Sequence, residues 1–264
     1  MTIGRFAASL TSLENGMKKV FRYHITLITL LTTVIVGCAV SNRTAPISNR
    51  FLEDRDVTAV DKTLPFSHSW IEPDYPLDYY DAVYFRSVSI DKLPPDAWKD
   101  SSSLYISSKE DYLKEAGLLA DYFKQQLEDK VSNYPKGEMK VVEKAGPKTL
   151  VFDFAFTELE FSNPVQNTGA LLVPIPGSAI LFSAISDPHM AFAARVTDGK
   201  TGKLVATAAD RKYPPTRILD INKITVTSAN RDICQIWAEI IADAVNRDAF
   251  SEVSSRGIFR LLPW

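Results

Sequence analysis

The sequence predicts an α+β fold: a mixed or mainly antiparallel sheet with two amphipathic helices packed on one face. Two observations carry this reading. Apolar residues recur at three- and four-residue spacing in two long stretches, 107–131 and 228–247. Runs of period-two alternation lie between and before them, clearest where Phe152, Phe154 and Phe156 share one side. Two helical stripes and a Phe-rich sheet face are buried most simply in two layers.

The elements follow in order. Residues 80–90 read as the first strand, with Val83 and Phe85 alternating against Tyr84 and Arg86, until Leu93-Pro94-Pro95-Asp96 breaks the pattern. Ser107 with Glu110 three residues later has capping-box spacing, and Leu113, Ala116, Leu119, Ala120, Phe123 and Leu127 continue a helix to Val131. Residues 139–144 and 149–161 read as strands, the opposite face of the second being semi-polar and solvent-exposed or near an edge. Residues 189–197 and 204–209 form a hairpin around Asp198-Gly199 and Gly202. The string Gly199-Lys200-Thr201-Gly202-Lys203 is a turn rather than a phosphate loop, because Leu204 follows the lysine where Ser or Thr is required. Ile233, Ile236, Trp237, Ile240, Ile241, Ala244 and Val245 then line the second helix, and 257–262 has the pattern of a final edge strand.

The N-terminal segment is the most informative. Lys18, Lys19 and Arg22 precede a short apolar run ending at Val36, the layout of a secretory leader, with translation starting at Met1 or Met17. The run closes on Ile35-Val36-Gly37-Cys38, which resembles the lipobox of bacterial lipoproteins. That resemblance implies cleavage before Cys38, a diacylglycerol on its thiol and an acyl chain on its new amine. More than one chain is what stable anchoring requires. Ala39, in place of aspartate, implies by the same resemblance the periplasmic face of the outer membrane rather than the inner membrane. An uncleaved spanning helix competes with this reading, but the run falls slightly short of the roughly 20 residues a bilayer needs. A buried helix is the third option.

The expected organisation is therefore a signal peptide over 1–37, a lipidated flexible tether over 38–68 and one α+β domain over 69–264. The tether is rich in Ser, Asn, Thr and alternating charge, with little apolar periodicity.

Thirty basic and thirty-two acidic side chains give a net charge of -2; without residues 1–37 the counts are 26 and 31, or -5. Such a domain lacks the cationic footprint of nucleic-acid binding. Two cysteines, Cys38 and Cys234, form no metal or disulfide framework, and three scattered histidines support no metal site or bound cofactor beyond the lipid. Cys234 reads as a buried, inert thiol. No nucleophile elbow or zinc-protease motif occurs. A hydrolase would need Asp153, His189 and Asp210 to converge, or Asp187 to act with His189, so the reading leans away from an enzyme.

One further segment stands out. Leu171, Leu172, Val173, Ile175, Ile180, Leu181 and Phe182 crowd residues 167–186 and are broken by Pro174, Pro176 and Gly177. Two buried segments about a Pro-Gly turn explain it; an apolar arm that docks on an envelope protein or the membrane surface is the alternative. Tyr75, Tyr79, Tyr80, Tyr84 and Phe85 either pack the approach to the first strand or line a binding surface.

Several short pieces together resemble an uncharacterised Gram-negative lipoprotein family of the DUF3313 type. They are Tyr80-Asp81-Ala82-Val83-Tyr84, Ala155-Phe156-Thr157-Glu158-Leu159, Asn163-Pro164-Val165 before Pro176-Gly177, and residues 198–204 with Asp210-Arg211. Lys212-Tyr213-Pro214-Pro215 departs from the family's plainer Gly-rich ending. The resemblance implies no activity, cofactor or catalytic residue. It leaves a membrane-anchored, periplasm-facing lipoprotein with a binding or structural role, against a tethered envelope hydrolase or a subunit of an envelope complex.

Overall fold

The computed structural model describes residues 52, 64–73, 76–101, 106–135, 137–161, 188–214 and 226–246. The chain divides into a unit Met1–Arg43, outside those residues, and a unit Thr44–Trp264 that carries the fold. Its elements are β1 (His68–Ile71), a 3-10 turn (Leu77–Tyr79), β2 (Ala82–Phe85), α1 (Ala97–Asp100), α2 (Lys109–Ser132), β3 (Lys140–Val141), β4 (Thr149–Glu160), β5 (His189–Asp198), β6 (Leu204–Lys212) and α3 (Ser228–Asn246). The strands form one mixed sheet in the order β1-β6-β5-β4-β2-β3. Pairing is antiparallel from β1 through β4 and parallel for β2 with both β4 and β3. The α+β class is as the sequence predicts.

The helix-bearing face is the apolar one. Phe152, Phe154 and Phe156 stand in register with Val196, Ala194 and Phe192. Phe123 of α2 meets Phe154 edge-on at 5.4 Å, and Trp237 of α3 meets Phe192 at 4.7 Å. Both helices therefore cover the same face, as their stripes require. Ser108 rather than Ser107 caps α2: its hydroxyl accepts from the Asp111 amide at 3.1 Å, and both serine hydroxyls donate to the Asp111 carboxylate. Tyr112 is buried while Leu113 is 38% exposed, because Tyr112 stands four residues before Ala116 and seven before Leu119 and so lies on the packed stripe.

Three further departures from expectation have physical causes. Residues 80–90 form a strand only over 82–85, with Ser89 rejoining the sheet as a single bridge to Ala155. The face of β4 and β5 away from the helices is not open: Ala155, Ala191, Ala193 and Ala209 are buried, and Leu52 packs on the last two. Alanines leave room for chain to approach there. The fold also reaches into what reads as tether. Phe66 packs edge-on against Phe192 at 5.7 Å, and His68 opens β1, whose four residues are too few to show periodicity. The segment 257–262 lies outside the described residues.

β1 and β2 are consecutive in sequence yet sit four strand spacings apart, about 19 Å. The connection 72–81 crosses the end of the sheet and is fastened there. Glu72 donates its amide to Val205 O at 2.8 Å and holds the Lys203 ammonium at 2.8 Å. Tyr80 donates its hydroxyl to Asp198 at 2.7 Å. Lys148, in the left-handed region at φ 60°, lies over the Tyr79 ring at 5.3 Å. Gly199 sits at this corner with its amide on Thr149 O at 2.8 Å, and a Cβ there would meet Gly146 O at 2.7 Å. Gly199→Ala is expected to lower stability by about 1–3 kcal/mol, because backbone atoms on both sides cannot yield cheaply. Urea unfolding measures it, and an unchanged midpoint would show that the corner is looser than described.

Candidate functional site

The described residues hold several polar clusters, and each is saturated by contacts within the fold. Asp198 ends β5 and organises the turn to β6. Its Oδ1 accepts from the amides of Lys200 at 3.0 Å and Thr201 at 2.6 Å and from the Thr201 hydroxyl at 2.7 Å. Gly202 supplies the positive φ of 71° that the turn needs. Burial by itself raises the Asp198 pKa, but the bonds from Tyr80, Thr201 and Lys200 outweigh it and bring the carboxyl down to about 2. The motif is a turn clamp, with its acceptor oxygens already occupied.

Asp210 is the second centre. Its carboxylate, almost wholly buried, accepts from the Ser67 amide at 3.1 Å, the Ser67 hydroxyl at 2.8 Å and the Trp237 indole N–H at 2.9 Å. Lys212 completes the shell at 3.0 Å. The third cluster lies on the other face of the sheet. Arg211 donates Nε to Glu158 at 2.6 Å and pairs with the same oxygen through a second nitrogen, while His189 Nε2 stands 4.0 Å from it. The His189 ring lies tilted against Tyr213, with centroids 5.4 Å apart.

Asp153, His189 and Asp210 therefore do not converge. Asp153 pairs with Arg86 at 3.3 Å on the face away from the helices, whereas Asp210 points to α3. Asp153 faces Arg195, six residues along β5 from His189, a separation of about 20 Å. Asp187, the other partner considered for His189, lies outside the described residues. So do Ile35, Val36, Gly37 and Cys38, and Leu171, Leu172, Val173, Ile175, Ile180, Leu181 and Phe182 of the apolar arm. Cys234 is buried, and burial pushes its thiol well above the ordinary value despite Arg231, so it stays protonated and inert. Tyr112 is likewise raised by burial and then by Glu160; it donates to Leu159 O at 2.8 Å, a structural bond.

A groove of about 510 Å³ opens between α2 and the β2–β3 edge. Lys124 and Glu128 on its wall are ion-paired to each other, beside the side chains of Tyr84, Ser87 and Glu143. Among the described residues no three His, Cys, Asp or Glu side chains group as metal ligands, and no helix is long and apolar enough to cross a membrane.

Sequence reasoning missed Ser67 and the partnership of Asp210 with Trp237. A usable signal existed: a tryptophan inside an apolar stripe still needs an acceptor for its N–H.

These features define an α+β domain whose described polar clusters serve the fold. A family model for DUF3313, a protein of unknown function, matches residues 48–240, and the chain belongs to that family. The segments that carry the family likeness meet in space: Tyr80 with Asp198, and Glu158 with Arg211. A comparison with curated proteins gave no match. Among solved structures, the chain is similar to a variant PelC dodecamer from Paraburkholderia phytofirmans, at 10% identity over 68% of this chain and 96% of that one, with a TM-score of 0.36. A second PelC dodecamer from the same organism matches at 10% identity over 55% and 79%, TM-score 0.29. Hypothetical protein CT253 from Chlamydia trachomatis matches at 10% over 63% and 96%, TM-score 0.32. These scores are too low to carry an argument about function.

Two expectations follow. Trp237→Phe removes one donor from a buried carboxylate and part of a core ring, so it should cost about 2–4 kcal/mol in denaturant unfolding. An unchanged stability would mean that Asp210 is not the hub described. Asp198, lowered from an ordinary 3.8 to about 2, contributes stability that is present above pH 4 and lost as pH falls towards 2. Wild type should exceed Asp198→Asn by about 2 kcal/mol at neutral pH, and the gap should close over that acid window. A gap that widened on acidification would contradict the assignment.

Proposed function

We propose that this protein is a lipid-anchored component of the bacterial cell envelope, held on the periplasmic face of the outer membrane through Cys38, with a binding or structural role. The observation that carries the reading is the order of residues at the end of the leader. Lys18, Lys19 and Arg22 precede an apolar run, and Gly37-Cys38 closes it. The cysteine thiol is the strong nucleophile of that region, and glycine before it leaves the scissile bond unobstructed.

Two features of the folded part are consistent with such a role. The hydrolase reading required three distant polar groups to share one cleft, and Asp153, His189 and Asp210 are each committed to separate structural contacts. Between Cys38 and Leu52, which packs on Ala193 and Ala209, lie some 13 residues that would serve as a spacer from the headgroups. The arm at 167–186 remains the proposed contact with an envelope protein.

Intact-mass analysis of membrane-extracted protein should show a chain beginning at Cys38 and carrying acyl groups. Cys38→Ser should yield an unacylated product. A wild-type chain with a bare thiol at position 38 would defeat the proposal.

A further inference from the structure

The face of the sheet away from the helices carries a polar row across its middle. Trp70 stands in register with Thr207, Thr207 with Arg195, and Arg195 with Asp153. Arg86, the residue after β2, ends the row by pairing with Asp153 at 3.3 Å. On β4 and β5 these positions alternate with Phe152, Phe154, Ala194 and Val196, which point to the helices, so the row points the other way. It spans four strand spacings, about 19 Å. Its centre holds an unspent charge. Of the four described arginines, Arg86 pairs with Asp153, Arg211 pairs with Glu158, and Arg231 lies over the Tyr122 ring. Arg195 is exposed and has no such partner among the described residues. Asp153 stands directly opposite it, but Arg86 engages that carboxylate from the other side. Thr207 is buried and Trp70 half-buried, so a guanidinium and an indole are what a ligand meets on this half of the row.

Charge and surface character select the ligand. Two guanidiniums against one carboxylate leave the row one positive charge in excess, on a chain that carries -5 from residue 38 onward. The domain as a whole repels a densely charged polyanion, whereas a chain with widely spaced carboxylates is drawn to the row. A protein partner would bring an apolar interface core. The exposed large apolar side chains among the described residues, Tyr79, Leu113 and Leu118, lie at the sheet end or on α2, off this face. We propose that the row binds a carboxylate-bearing glycan strand lying across the β-strands. The Arg195 fork holds its carboxylate, Asp153 and Arg86 bond its hydroxyls, and a sugar ring rests against Trp70. The site is independent of acylation at Cys38.

Saturation-transfer NMR on the detergent-solubilised full chain tests this with tetragalacturonate and the neutral tetrasaccharide maltotetraose. The acidic sugar should bind, the neutral one about tenfold more weakly, and added salt should weaken the first alone. Arg195→Gln should lower the affinity for tetragalacturonate about tenfold with the thermal melt unchanged, because no contact within the fold is lost. Arg195→Lys keeps the charge without the fork and should recover only part of the affinity. No binding of tetragalacturonate at millimolar concentration, equal binding of maltotetraose, or an Arg195→Gln chain that binds as wild type does would each overturn the proposal. Equal competition by a tetraglutamate peptide would overturn it in favour of an acidic protein segment.

Discussion

The carboxylate of Asp210 holds together three parts of the chain that are far apart in sequence. It belongs to β6, it accepts from Trp237 in α3, and it fixes Ser67 immediately before β1. A charge this deeply buried is tolerable only when its lone pairs are filled, and the loss of one partner leaves the others around an under-satisfied ion. That requirement places α3 over β6 and brings the N-terminal segment to the sheet edge, where β1 then pairs with β6.

A second constraint is topological. With β1 at one edge and β2 near the other, the chain must cross the sheet end before the parallel half is built. The crossing explains why residues that look like recognition chemistry in the sequence are structural. Tyr80 and Asp198 fasten the crossing to the β5–β6 turn, and Lys203 holds Glu72 beside it. Glu158 and Arg211 tie β4 to β6 across the face away from the helices. The family-like segments thus mark points where the sheet is locked.

Much of the architecture was legible from periodicity. The Phe152, Phe154, Phe156 face, the hairpin turn at Asp198 and Gly202, and both long helices follow from local patterns that tertiary contacts reinforce. Elements too short to display a period were less legible. β1, with four residues, overlaps the stretch that reads as tether, and β3 keeps only two of the six residues, 139–144, that read as a strand; each exists because a neighbouring strand offers bonds. The cap of α2 moved by one residue because two serines stand together and either can begin the helix. Long-range polar pairs such as Asp210 with Trp237 left only an indirect trace, an indole needing an acceptor. For the candidate site, the proposal at Cys38 rests on local residue order alone, whereas the acid and histidine set at 153, 189 and 210 was a grouping that topology does not support.

The polar clusters about Asp198, Asp210 and Glu158 are satisfied within the fold, and attachment to the envelope is proposed to belong to one thiol, Cys38. Metabolic labelling of producing cells with radioactive palmitate tests this most directly. The account predicts label in the wild-type chain and none in Cys38→Ser, with the latter leaving the membrane fraction. Label retained in the variant, or absent from wild type, would contradict it.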